Sequence, residues 1–107
     1  MSERPYQVSL SDDALFVYLN IPSGRDFDAV DTTLNLLGEF PYYGRVYDPL
    51  YEAACLPFEV RVAFAGRYGI YYEVIEAQRL VAVHYIEDQR RDPTKRFSDT
   101  QSFYSRR

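Results

Sequence analysis

The stretch from residue 58 to residue 91 constrains the fold more than any other part of the chain. It contains three runs in which apolar and polar residues alternate, at 58–64, 69–75 and 79–86, with short turn segments between them. Alternation with a period of two is typical of strands that bury one face. The stretch therefore predicts a three-stranded antiparallel meander.

The alternation also divides the side chains of the meander between two faces. We place Phe64 opposite Tyr68 at the first turn. Ile75 is placed opposite Arg79 at the second turn. One predicted face is mainly apolar and suits a helical cover: Phe58, Val60, Val62, Phe64, Ile70, Tyr72, Val74, Leu80, Ala82, His84 and Ile86. The other is aromatic and charged, and we expect it to be the functional one: Glu59, Arg61, Ala63, Tyr71, Glu73, Ile75, Arg79, Val81, Val83 and Tyr85.

Two helices are predicted ahead of the meander. Ser11, which precedes two aspartates, has the features of an N-cap, and Pro22 should end that helix by Asn20. Ser23 begins a second helix, which ends near Phe40. Its apolar stripe recurs at helical spacing: Phe27, Val30, Leu34 and Leu37.

The remaining segments complete a single predicted domain over residues 1–107. Residues 6–10 alternate and predict a short strand at an edge of the meander. Residues 41–57 contain three prolines and predict a loop, with a brief edge strand near Tyr51 to Cys55. The expected architecture is an α+β fold of two layers, with an N-terminal strand and a two-helix hairpin packed on a twisted antiparallel sheet.

Charge is distributed unevenly along the chain. The net charge is −4, and the basic residues of 90–107 leave the rest of the chain strongly acidic. An acidic body is a poor general nucleic-acid binder, because affinity for phosphate comes mainly from clustered cations. The basic, polar tail at 92–107 and the residues just before it supply the candidate RNA-binding side chains, a solvated chain end being the alternative: Arg90, Arg91, Lys95 and Arg96.

Cysteine content and hydropathy indicate where in the cell the protein is expected. Cys55 is the single cysteine, which fits a reducing environment, and we interpret it as a small apolar residue rather than a nucleophile. No apolar run reaches the ~20 residues that a membrane-spanning helix needs. We expect a soluble cytoplasmic protein without a membrane partner, a cofactor or a metal site.

Several short motifs, in matching order, resemble those of the RelE/ParE toxin superfamily. Residues 66–74, GRYGIYYEV, resemble its glycine-tyrosine-arginine strand, and residues 80–93, LVAVHYIEDQRRDP, resemble its last strand and arginine-rich ending. Pro41, Gly44 and the Asp48-Pro49-Leu50 run stand where these toxins have a P-x-x-G and a later leucine. The resemblance implies the toxin of a bacterial type II toxin–antitoxin module, neutralised by a cognate antitoxin that wraps around it.

The resemblance leaves the activity open. RelE-like members cleave mRNA on the ribosome without a metal, whereas ParE-like members inhibit DNA gyrase without catalysis. An inactive relative that only binds the antitoxin is the third alternative. The oligomeric state stays open as well, a homodimer included.

Metal-free RNA cleavage needs a base, an acid, and cations that stabilise the phosphorane. By the resemblance, Arg61 occupies a lysine position of the family strand, and Arg67 lies two residues before the position of the motif arginine. Asp48 matches a carboxylate that one sub-branch uses. Tyr85, which lies beside Tyr71 on the predicted functional face, completes the predicted catalytic set.

The sequence departs from the family pattern at three positions. Glu59 replaces the second lysine, Gly69 replaces the motif arginine, and Phe97 lacks the hydroxyl of the family's C-terminal aromatic residue. We also expect Glu59 to face Glu73 across the sheet, and His84 to point inward as a core histidine. The departures predict an altered or weakened active site.

Overall fold

The computed structural model describes residues 5–47 and 59–90. The elements are β1 (Gln7–Leu10), α1 (Asp12–Leu19), α2 (Gly24–Glu39), β2 (Arg45–Val46), β3 (Arg61–Ala65), β4 (Tyr68–Ile75) and β5 (Leu80–Asp88), with a 3-10 turn (Glu76–Gln78) before β5. The predicted order of elements is confirmed, and β2 is an addition to it. The edge strand predicted near residues 51–55 lies outside the described residues.

The five strands form one sheet in the order β1-β5-β4-β3-β2. β1 pairs with β5 in parallel, and the other neighbours pair antiparallel. Both helices pack on the same face of the sheet, α1 mainly against β5 and α2 against β3 and β1. The predicted two-layer α+β architecture is therefore confirmed, with the N-terminal strand at an edge as expected.

Both helices begin where their caps predict. The Ser11 hydroxyl accepts from the Ala14 amide at 3.0 Å, and the Ser23 hydroxyl accepts from the Asp26 amide at 3.3 Å. These bonds satisfy amides that have no partner within the helix. Three members of the predicted α2 stripe are buried against the sheet: Val30, Leu34 and Leu37.

The prediction of which β3 side chains face the helices was wrong, because β3 is shifted by one residue relative to β4. The turn between β3 and β4 has two residues, Gly66 and Arg67, so Ala65 rather than Phe64 lies opposite Tyr68. Gly66 has a φ of +61°, which glycine adopts at little cost at the first position of such a turn. A one-residue slip moves every side chain of a strand to the other face. Arg61 and Ala63 therefore lie on the helix side.

The face predicted for β5 was wrong in its first half and right in its second. Ile75 lies opposite Leu80 rather than Arg79, so Val81 and Val83 enter the helix-side core. The ladder then shifts, because Tyr72 pairs with Val83 while Tyr71 pairs with Tyr85. His84 is the extra residue of this β-bulge. After the bulge, the side chains again lie on the predicted faces, Ile86 on the helix side and Tyr85 on the opposite side.

A buried tyrosine fixes the loop after α2. The Tyr72 hydroxyl donates to the Pro41 carbonyl at 2.7 Å and accepts from the Gly44 amide at 2.9 Å. Burial raises the pKa of Tyr72, because a desolvated phenolate is disfavoured. Gly44 lies so close to Tyr72 and to the Val62 carbonyl that a side chain at this position has no room.

In the described part of the chain, neither helix has both the length and the apolar character that crossing a bilayer requires.

Candidate functional site on the outer face of the sheet

The sheet face that the helices leave uncovered is called the outer face. The described strands place the following side chains on it: Arg45, Tyr47, Val60, Val62, Phe64, Tyr71, Glu73, His84, Tyr85 and Glu87. Part of this face forms a second, small core, in which Val60, Val62 and Tyr71 are buried beneath the rings of Tyr47 and Tyr85. The outer face is thus an aromatic surface with a few polar groups.

A groove of about 390 Å³ runs beside this small core. The rings of Tyr47 and Tyr71 meet edge to face at 5.2 Å, and Phe64 is 46% exposed. The Arg45 guanidinium lies 5.6 Å above the Phe64 ring. An exposed ring beside an arginine, here Phe64 beside Arg45, forms a surface on which flat, π-rich groups such as nucleobases can stack.

Gly69 explains part of the shape of the groove. It lies opposite Phe64 in the ladder, where the resemblance expects an arginine. The Gln89 side chain fills the space above Gly69 and donates to the Tyr71 hydroxyl at 3.3 Å. A neutral amide therefore occupies the place of the expected cation.

His84 and Glu73 form the acid–base pair of the outer face. The bulge in β5 turns His84 outward, where its Nε2 lies 3.2 Å from Oε1 of Glu73 on β4. Their side chains are 27% and 24% exposed, so solvent reaches both. The prediction that His84 points inward was wrong, because strict alternation has no place for a bulge. Bulges often re-aim a side chain next to an active site.

The bulge is fixed by the start of α1. The Ser11 hydroxyl, which caps α1, also donates to the His84 carbonyl at 2.8 Å. The Ser11 amide donates to the Val83 carbonyl at 2.9 Å. One serine thus determines both where the helix begins and where the strand is interrupted, which holds the backbone of His84 in place.

Replacing Ser11 by alanine is expected to lower the free energy of unfolding by about 2 kcal/mol, because a cap and a hydrogen bond to the bulge are lost together. Urea unfolding measures this loss. Ser23→Ala is the matched control, since Ser23 caps α2 with a longer bond and makes no described contact with the sheet. Equal losses in the two variants contradict the double role of Ser11.

Arg61 and Arg67 are engaged away from the outer face. Arg61 lies opposite Tyr72, donates to the Gly44 carbonyl at 3.2 Å and lies 3.7 Å from Glu59. Arg67, in the β3–β4 turn, contacts Asp26 at the start of α2 at 2.7 Å. The prediction that Arg61 shares a face with Tyr85 was wrong. Glu59 is likewise not opposite Glu73, because the register that pairs Arg61 with Tyr72 sets residue 60 rather than Glu59 against Glu73.

A second polar cluster lies at the 3-10 turn before β5, where the N-terminal segment and the α2–β2 loop meet it. The hydroxyls of Tyr6 and Tyr42 both donate to the Glu76 carboxylate. Arg79 stacks 4.6 Å over Tyr6, and Arg61 stacks 5.0 Å over Tyr42. The bonds from Tyr42 and Tyr6 lower the pKa of Glu76, and the bond to Glu76 raises the pKa of Tyr42 to about 12. The cluster ties the N-terminal segment and the α2–β2 loop to the turn before β5.

This cluster predicts a pH dependence of stability. Because the pKa of Glu76 is lowered in the folded state, its contribution is complete above the pKa of an unfolded carboxyl group. It is lost as the pH falls through the lowered value. The stability difference between wild type and Glu76→Gln should therefore be largest near neutral pH and vanish in strong acid, as measured by urea unfolding.

Two tyrosine variants test the origin of that dependence. Tyr42→Phe removes one donor to Glu76 and should reproduce part of the change. Tyr43→Phe, in an equally exposed neighbour, should leave the pH dependence as it is. A Glu76→Gln variant with the same stability deficit at every pH contradicts the assignment.

The predicted RNA-binding residues fall mostly outside the described part. Arg90 is described, and its guanidinium binds the Asp88 carboxylate at 2.7 Å. That bond lowers the pKa of Asp88. The other predicted residues lie outside the described ranges: Asp48, Arg91, Lys95 and Arg96. Their predicted roles stay predictions.

The described residues set limits on the chemistry. Within 5–47 and 59–90, no three His, Cys, Asp or Glu side chains come together as a metal site requires. The outer face instead offers an imidazole oriented by a carboxylate, tyrosine hydroxyls, and Arg45 at its edge. Proton transfer and stacking of flat ligands are what this arrangement can perform.

The sequence matches no protein-family profile and no curated protein. The fold, in contrast, is similar to solved RelE structures. A chain of the archaeal RelE–RelB complex from Pyrococcus horikoshii OT3 superposes with a TM-score of 0.60 at 13% identity, over 82% of this chain and 99% of that one.

Two Escherichia coli structures are similar to the same degree. The isolated RelE toxin gives a TM-score of 0.58 at 17% identity, over 91% of this chain and 96% of that one. A chain of the intact RelBE toxin–antitoxin complex gives 0.57 at 17% identity, over 78% and 95%. The chain therefore has the fold of RelE toxins.

Proposed function

We propose that this chain is the toxin of a type II toxin–antitoxin module and that it cleaves mRNA at the outer face. The RelE fold supports the first part, together with the motif order of the sequence. One observation carries the second part: the bulge that places His84 on the outer face, 3.2 Å from Glu73. The cognate antitoxin is then the partner that neutralises it.

The proposed reaction is transesterification at a phosphodiester of RNA. In the proposed tautomer, Nε2–H of His84 donates to Glu73, and Nδ1 is the nitrogen that acts as the base. That nitrogen takes the proton of a ribose 2′-hydroxyl, and the 2′-oxygen attacks phosphorus while the bond to the 5′-oxygen breaks. Tyr85, a sequence-predicted catalytic residue on this face, returns a proton to the 5′-oxygen. The products are a 2′,3′-cyclic phosphate and a 5′-hydroxyl.

Binding of RNA in this proposal depends on the groove. Nucleobases stack on the exposed ring of Phe64, and Arg45 supplies positive charge to the phosphate. Arg61 and Arg67 hold the loop after α2 and the start of α2, because their described contacts lie there. Their predicted catalytic roles, like that of Asp48, are tested by the same assay through alanine variants.

Inducible expression in a bacterial host, with and without the product of the adjacent reading frame, tests the proposal. We expect growth arrest that this product relieves. In a translating extract, we expect new mRNA ends that carry a 2′,3′-cyclic phosphate. Normal growth at full expression contradicts the toxin assignment, and arrest without new mRNA ends contradicts the nuclease assignment alone.

A non-catalytic toxin directed at a protein such as DNA gyrase is the second candidate. Two exposed apolar side chains in the lining of the groove, Val46 and Phe64, favour a protein target. A supercoiling assay with purified gyrase separates the two candidates. Inhibition of supercoiling without mRNA cleavage supports the second candidate over the first.

A further inference from the structure

Helix α1 is apolar on both of its sides, although only one side is covered. Ala14 is fully buried, and Val17 and Tyr18 pack against the main core. On the opposite side, Phe16 is 68% exposed and Leu19 is 66% exposed. A helix that is apolar all round is normally buried all round. Its outer side is therefore an unpartnered surface.

The exposed side is held rigidly. Tyr18 donates to Asp31 on α2 at 2.8 Å and packs on the Phe27 ring at 4.9 Å, which fixes the rotation of α1 about its axis. Asn20 donates to the Phe16 carbonyl at 2.8 Å and closes the last turn. Phe16 and Leu19, three residues apart, thus project side by side from a fixed helix. Leu15, 41% exposed, extends the patch.

The charge around this patch is strongly negative. The segment from α1 to the end of α2 carries six carboxylates against one arginine, Arg25, and only one of the six, Asp26, is described in a salt bridge, with Arg67. A partner that covers the patch must therefore bring basic groups to its margin. A second copy of this chain docked α1 against α1 is disfavoured, because a two-fold interface uses the same patch on both copies and so brings two acidic helix hairpins together.

The size of the patch also restricts the occupant. An eight-residue helix is roughly 12 Å long, whereas a stable interface buries about 800 Å² on each partner. Three exposed side chains on α1 provide only part of such an area. The occupant must extend beyond α1 and make further contacts elsewhere on the surface.

We infer that the outer side of α1 is a docking site for an apolar segment of the antitoxin, flanked by lysine or arginine. Phe16 and Leu19 are its anchors, and the carboxylates of the helix hairpin receive its basic flanks. The inference rests on the proposed toxin function. It places this part of the antitoxin interface on the helix layer, on the opposite side of the sheet from His84.

The test compares the affinity of the adjacent-gene product for the full-length wild type and for the double variant Phe16→Glu, Leu19→Glu. Calorimetric titration should show a loss on the order of 100-fold, since two apolar anchors are replaced by carboxylates that must be desolvated against an apolar segment. Phe40→Glu is the matched control, because Phe40 is a similarly exposed aromatic residue outside α1. It should keep the affinity within about threefold.

Each outcome decides a different claim. If the wild type does not bind the product, the toxin assignment and the inference both fail. If the double variant binds as tightly as the wild type, or if Phe40→Glu loses as much, only the inference fails. A wild type that sediments as a dimer and becomes a monomer in the double variant assigns the patch to a second copy and overturns the inference. Circular dichroism melts confirm that the variants are folded.

Discussion

Replacing His84 by glutamine should lower the rate of RNA cleavage by about 10²- to 10⁴-fold, the range usually lost with a general base. Glutamine keeps much of the size of the imidazole but cannot take up the 2′-hydroxyl proton. The His84 side chain is partly exposed and glutamine is no larger, so the variant should fold. Single-turnover cleavage of a defined mRNA in a ribosome-containing extract measures the effect.

Glu73→Gln separates a positioning role from a merely structural one. Glu73 acts through His84, so its loss should lower the rate less than the loss of His84 does. Glu73→Asp should restore part of the rate. Glu59→Gln, which removes a carboxylate on the helix side of β3, is the control and should leave the rate unchanged. An unchanged rate in His84→Gln contradicts the proposed mechanism.

Gly44→Ala should produce the largest loss of stability, on the order of 2–5 kcal/mol. A Cβ at this position would lie 2.6 Å from the Val62 carbonyl oxygen and 2.7 Å from the Tyr72 hydroxyl. The loop must move away, and the buried hydroxyl then loses its bonds to Gly44 and Pro41. Overpacking and an unsatisfied buried polar group therefore add to each other.

Gly24→Ala provides the matched control for this prediction. Nothing lies within 4 Å of a Cβ at Gly24, the first residue of α2. This variant should be as stable as the wild type or slightly more stable, because alanine restricts the unfolded chain. Urea unfolding compares the two alanine variants, and equal stabilities contradict the packing role of Gly44.

The helices were predictable because their signals are local. Ser11 and Ser23 mark the starts by capping, Pro22 and Pro41 mark the ends, and Leu34 lies on a stripe with helical spacing. Each of these signals acts within a few residues of itself, so no knowledge of the tertiary fold is needed. The four predicted strands that fall within the described residues were also found, although their ends moved by up to three residues.

The side-chain faces were less predictable, because they depend on single-residue details of the turns. A turn of two residues at Gly66 and Arg67, instead of three, moved Arg61 from the outer face to the helix side. The bulge at His84 depends on a bond from Ser11, which is 73 residues away in sequence. The alternation of β5 alone gives no sign of that bond.

The two-residue strand β2 was missed for a related reason. Arg45 and Val46 follow a glycine and resemble loop, and only the exposed edge of β3 provides their hydrogen-bonding partners. So short a strand forms only because it pairs with β3. Its residues in turn line the groove beside Phe64. The binding surface is thus largely a product of long-range contacts.

The parallel pairing of β1 with β5 has a consequence for biosynthesis. β1 can pair with β5 only after β5 has been synthesised, and α1 packs on β5 as well. A nascent chain that stops before residue 80 lacks the strand with which β1 pairs. It also lacks His84, the residue proposed as the base. Proteins with such distant contacts fold late and comparatively slowly. The proposed activity would thus stay latent until β5 has been translated.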